Sequence, residues 1–186
     1  EGEGTYPGDY SGCHFQLTRN IDLGGIEWMP IGFYQNEADF LTEEVRPFSG
    51  HFDGNGKTVS NFVIYRPAWK NAGLFGVLEN AEITDLTVKP GYVIQAKDQV
   101  GILGGSASNC VIRNVTVMGS VYAEGTAGGL FGEVKENSVI ENCIADHVAV
   151  DSGRAKEVYT GGIAGKAAES LIVDCTVNTG DSMTAR

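Results

Sequence analysis

GGLFGEVKENSVIENCIA, residues 128–145, has three near-copies elsewhere in the chain. They are AGLFGVLENAEITDLTV (72–88), VGILGGSASNCVIRNVTV (100–117) and GGIAGKAAESLIVDCTV (161–177). A shorter stretch, TVSNFVI (58–64), reads as a fifth copy ahead of them. A unit this short cannot bury a core alone, so the copies must stack. The repeat therefore decides the fold class before any single residue is weighed.

Each copy carries the pattern β-branched, any, Asn/Asp, apolar, any, apolar. In the second copy this is Ile83-Thr84-Asp85-Leu86-Thr87-Val88. Ile83 and Leu86 would lie on opposite faces of a straight strand. A bend at the Asn/Asp turns both apolar sets inward, and these residues tolerate left-handed backbone values. Each motif therefore reads as two short strands meeting at a corner. The corner positions Asn61, Asp85, Asn114, Asn142 and Asp174 recur at 24, 29, 28 and 32 residues. An upstream Gly-apolar-apolar-Gly element supplies a third inward segment, with Leu74, Ile102, Leu130 and Ile163 at one position. No long i, i+3, i+4 stripe occurs.

The expectation is an all-β, parallel three-sided β-helix of about five coils, right-handed by the crossover rule. Residues 1–48, which do not repeat, form an atypical N-terminal leader or cap packed on the solenoid of residues 49–186. The stretch SGRAKEV (152–158) reads as an exposed loop insert. The ends, EGEGTYPGDY and NTGDSMTAR, read as those of a single domain excised from a longer protein.

Composition narrows the function classes. At 42% hydrophobic the chain is a folding sequence, and 26 glycines in 186 residues mark turns or close backbone contacts. A net charge of −11 repels phosphate backbones, so no nucleic-acid partner is expected. No apolar run approaches the ~20 residues that span a bilayer, so no membrane insertion is expected. Cys13, Cys110, Cys143 and Cys175 make no CxxC pair, and Cys143 and Cys175 share a repeat position with Phe62, Leu86 and Val115, which would stack one above another. They read as small buried hydrophobes.

The Gly-Gly-Leu-Phe-Gly and Ile-x-Asn-Cys elements resemble the GLUG repeat. The segment FSGHFDGNGKTV (48–59) is similar to the element that precedes such repeats, as are Ile21-Asp22-Leu23, Trp28 and Pro30-Ile31-Gly32. The resemblance runs from about Phe15 to Val177. It implies an extracellular setting in large bacterial surface or secreted proteins. These include filamentous-haemagglutinin-like adhesins and the non-catalytic regions of IgA-specific metalloendopeptidases. It brings no catalytic site.

The residue types that carry chemistry form no competing motif. His14, His51 and His147 form no HExxH and no close pair in sequence. The stretch Asp53-Gly54-Asn55-Gly56-Lys57 lacks the bidentate Glu of a calcium loop and reads as a tight turn. Glu79, Glu82 and Asp85, or Glu133, Glu136 and Glu141, suggest the exposed carboxylates of polysaccharide-degrading enzymes. With only 13 Lys and Arg to hold an acidic substrate, they read as a solvated face. No catalytic, metal or cofactor residue is assigned. The expected role is a rigid spacer or interaction module, with other domains of the same longer chain as partners. The alternative is a glycan- or host-protein-binding adhesin module using Trp28, Tyr34, Tyr65, Trp69 and Tyr92, aromatics outside the repeat ladders. A polysaccharide-degrading β-helix enzyme is the third class.

Overall fold

A computed structural model describes residues 10–32, 46–153 and 158–179. Among them there is no helix, and every strand pairing is parallel. The chain winds as a β-solenoid: four turns run from His51 through Glu82, Val111 and Val139 to Leu171, each opposite the next. An earlier rung, His14–Gln16, lies opposite residues 51–53. The leader also contributes Ile21–Asp22 opposite Val59 and Ser60, and single bridges from Glu27, Ile31 and Phe48. The described residues of the expected leader, 10–32 and 46–48, thus supply an irregular rung ahead of residue 51.

A central turn shows why these residues make these elements. Glu82–Lys89 is one strand bent at Asp85, whose φ of 53° is left-handed. Asn114, Asn142 and Asp174 bend the later copies with φ of 55°, 53° and 53°. Ile83, Ile112 and Ile140 stack on one side of the bend, and Val88, Val117 and Ala145 on the other, all fully buried. Full burial of such a side chain is worth about 1.5–3 kcal/mol, and the column repeats it at each rung. The corner amides bridge rungs as well: Asn142 Nδ2 donates to Asn114 Oδ1 (2.6 Å), and Asn114 Nδ2 donates to Asp85 Oδ1 (2.8 Å). The chain then runs outward through Ile94–Val100 and returns along Gly104–Ser108. At Gly101 a Cβ would collide with the Leu130 carbonyl oxygen, which fixes glycine there.

Two expected registers are corrected. The shorter copy at 58–64 does not align as its sequence suggests. Val59 lies opposite Val88, and it is Phe52 that lies opposite Ile83. The corner of this coil is Asp53-Gly54-Asn55-Gly56, with Asn55 at φ 49° and Gly56 at φ 67°; it is two residues longer than its neighbours. The DGNG stretch is therefore a tight turn that forms a solenoid corner. Asn61 is also left-handed (φ 59°), but Phe62 after it is buried beside Trp28, away from the Leu86 column. Secondly, Phe75 and Phe131 both lie opposite Gly104 instead of Leu103. Val100 to Gly104 and Ala127 to Phe131 each hold one residue more than Ala72 to Phe75, and Gly104 leaves room for the Phe131 ring, whose Cε1 would sit 2.7 Å from a Cβ.

The two ends differ. At the first coil Tyr10, Phe15, Phe48, Phe52 and Phe75 interlock with ring centroids 5.4–5.9 Å apart. At the last described rung, Leu171–Val173 and Thr176–Asn178 leave Leu171, Ile172 and Val177 exposed. Residues 154–157 of the expected loop lie outside the described residues.

Candidate functional site

The sides of this solenoid pair their charges with each other. Arg113 donates from Nε to Glu141 (2.8 Å) and lies 3.6 Å from Glu82. Lys166 lies 3.0 Å from Glu133, and the pair raises the lysine's pKa. Gln99 also donates to Glu133, at 2.9 Å, and Glu136 accepts from Ser108. Glu82, Glu133, Glu136 and Glu141 are thus rung-to-rung struts, not two carboxylates free to flank a sugar bond.

Among the described residues no three His, Cys, Asp or Glu side chains converge to hold a metal ion. His14 and His51, 37 residues apart, nevertheless meet across the first two rungs, with their Nδ1 atoms 3.2 Å apart. Sequence spacing alone concealed that contact, which follows from the rung register. The four cysteines are free. Burial pushes the Cys110 thiol up to about 11 and the Cys143 thiol up to about 12, so neither is a nucleophile at neutral pH. Asp53, Asp85 and Asn114 line a depression at the corner. Asp53 spends its oxygens on Gln16 Nε2 (2.7 Å) and the Asn55 N–H (2.6 Å), which hold its pKa below the usual value.

The aromatic candidates separate by environment. Trp28 donates from Nε1 to the Leu74 carbonyl (3.0 Å) and packs against Phe62, so it is part of the fold. Tyr34 lies outside the described residues. The remaining three are spread along the third segment of the turn. Tyr65 begins Tyr65–Ala72 and is 59% exposed; Tyr92 precedes Ile94–Val100 and is 71% exposed. Between Arg66 and Lys70 the strand gains two residues over its partner, and this bulge carries Trp69. The Arg66 guanidinium lies 4.8 Å from the Trp69 ring centroid and pairs with Glu27 one rung back.

A fourth aromatic joins them that the sequence pattern did not single out. Tyr122 lies opposite Gln95, which lies opposite Tyr65. It alternates with buried Val121 and Ala123, so its ring points out on the same face. That alternation, V-Y-A, is the signal in the sequence that marks it. What can this face do chemically? It offers aromatic rings, amides and hydroxyls on rigid strands.

No protein-family model matches the chain, and no solved structure does. Three known proteins share sequence with it. Halomucin of Haloquadratum walsbyi is 34% identical over 129 residues, covering 68% of this chain and 1% of that protein. A protein of Evansella cellulosilytica, named as a Gly-rich membrane protein, is 37% identical over 115 residues, covering 57% of this chain and 12% of its own length. An immunoglobulin A1 protease of Streptococcus pneumoniae is 24% identical over 153 residues, covering 78% of this chain and 8% of the protease. The chain therefore spans no more than 12% of the length of these relatives.

Proposed function

We propose that this chain is a non-catalytic, GLUG-type repeat module that serves as a rigid spacer in a larger extracellular or cell-surface protein. The observation that carries the reading is the uninterrupted parallel pairing from His14 to Leu171, which makes the axis a continuous hydrogen-bonded ladder. Such a ladder resists bending because each rung is bonded and packed against both neighbours. The relatives support the setting: a halomucin, a protein named as a Gly-rich membrane protein and an immunoglobulin A1 protease, each far longer than the segment shared with this chain. The reading is tested in a full-length parent by removing one whole coil, residues 82–110. A spacer predicts a shortened projection with the parent's other activities unchanged. Loss of those activities at unchanged projection overturns it.

The outward column that carries Tyr65 and Tyr122 two rungs apart favours a second reading, a module that binds a glycan or a host protein. Spacer and binding roles are compatible, since a stalk can also adhere along its side.

A further inference from the structure

We propose that the outward column Tyr65, Gln95, Tyr122 and Asp151 is a binding track for a linear, uncharged, β-1,4-linked glycan lying along the solenoid axis. The inference rests on the glycan-binding reading above and assigns it a ligand class and residues. The four residues are opposite one another on successive rungs. Their chain neighbours Ile64, Ile94, Ala96, Val121 and Ala123 are buried, so the column lies on the outer face, with Tyr65 and Asp151 exposed and Gln95 and Tyr122 half-buried. Rungs repeat at about 4.8 Å, which puts Tyr65 and Tyr122 roughly 10 Å apart. That is close to the length of one disaccharide in an extended β-1,4 chain. In such a chain every second ring presents the same face, so both tyrosines meet equivalent sugars.

The polar members fit the same register. A tyrosine ring's negative face attracts the C–H face of a pyranose. On the rung between the tyrosines, the Gln95 amide can both donate to and accept from hydroxyls; Asp151, one rung beyond Tyr122, accepts only. The net charge of −11 disfavours uronates and sulfated sugars. Exposed Val93 and Tyr92 widen the strip beside the column. Because the contacts stand on strands, little ordering is needed on binding.

The test is calorimetric titration of the whole chain with a β-1,4-linked glucose hexamer. Saturable binding is expected. Tyr65→Ala and Tyr122→Ala should each weaken it about tenfold, the scale of one lost aromatic contact. Gln95→Leu should weaken it severalfold. Tyr159→Ala removes an exposed ring off the column and should change nothing. In the unmodified protein the hexamer should shift the ring resonances of Tyr65 and Tyr122 and spare Tyr159, a readout independent of any variant's folding. Absence of hexamer binding, or an equal loss with Tyr159→Ala, overturns the track. Binding of polygalacturonate or a host protein in place of the hexamer also overturns it, while leaving the broader adhesive reading standing. The spacer reading is unaffected by either result.

Discussion

Ile112 and Ile172 occupy the same column of the same repeat, yet Ile112 is fully buried and Ile172 is 37% exposed. Val117 and Val177 repeat the contrast, at 0% and 42%. The residue types are equivalent, so the difference comes from the rung above. In a solenoid, burial is conferred by neighbours on both sides, and a motif position has no fixed energetic weight of its own. The inner coils supply stability; the outer rungs are held by fewer contacts and by polar ties.

The harshest way to break this contrast is a charge. Leu130→Asp places a carboxylate among fully buried side chains and should abolish folding, whereas Ile172→Asp should leave a cooperative melt. Circular dichroism on both variants checks it, and wild-type melting of Leu130→Asp would refute the column assignment. A gentler test uses cavities: Ile112→Ala should cost about 2–5 kcal/mol, and Ile172→Ala under about half of that, by urea unfolding. Thiol labelling reads the same gradient without mutation. Cys175, half-buried at the last rung, should react well before Cys143 and Cys110, which label only through opening.

The smallest effect is acid sensitivity at the outer rungs. Asp22 accepts from the Gly24 N–H and from Asn61, and Asp53 accepts from Gln16 and Asn55. Asp146 accepts from Asn178 and lies beside His147. Each carboxyl has its pKa lowered by these bonds. Their contribution is therefore present above the unfolded value near 3.9 and is lost as pH falls below it. Hydrogen exchange between pH 5 and 3 should loosen the first and last rungs before the amides of 111–117 change. Uniform loosening would contradict the assignment of these carboxyls as end ties.

The regular coils are legible in the sequence because their pattern is local. From Ile83 onward, β-branched residues flanking an Asn/Asp mark the bend and the inward columns directly. The second coil misleads because its true corner, Asp53-Gly54-Asn55-Gly56, carries two extra residues and no longer matches the pattern, while Val59-Ser60-Asn61-Phe62 matches it in the wrong place. Both contain an Asn in a left-handed conformation, so backbone preference does not separate them. The slip at Leu103 is hidden for a different reason: whether a Gly pairs with a Phe is settled by ring volume across rungs, which one copy does not record. The candidate face is half legible. Exposure of Tyr65 and Tyr92 follows from their position off the ladders. The structural use of Trp28 and the outward turn of Tyr122 depend on which rung lies opposite, as does the meeting of His14 with His51.

The corner amides have a direction. Asn142 donates a hydrogen bond to Asn114, and Asn114 donates one to Asp85, so both donors point toward the N-terminal end. A carboxylate accepts without donating in turn, and Asp85 ends the run. Polarity along the axis is therefore carried by side chains as well as by the backbone: an Asn corner both accepts and donates, handing the run to the coil before it, and an Asp corner receives without handing on.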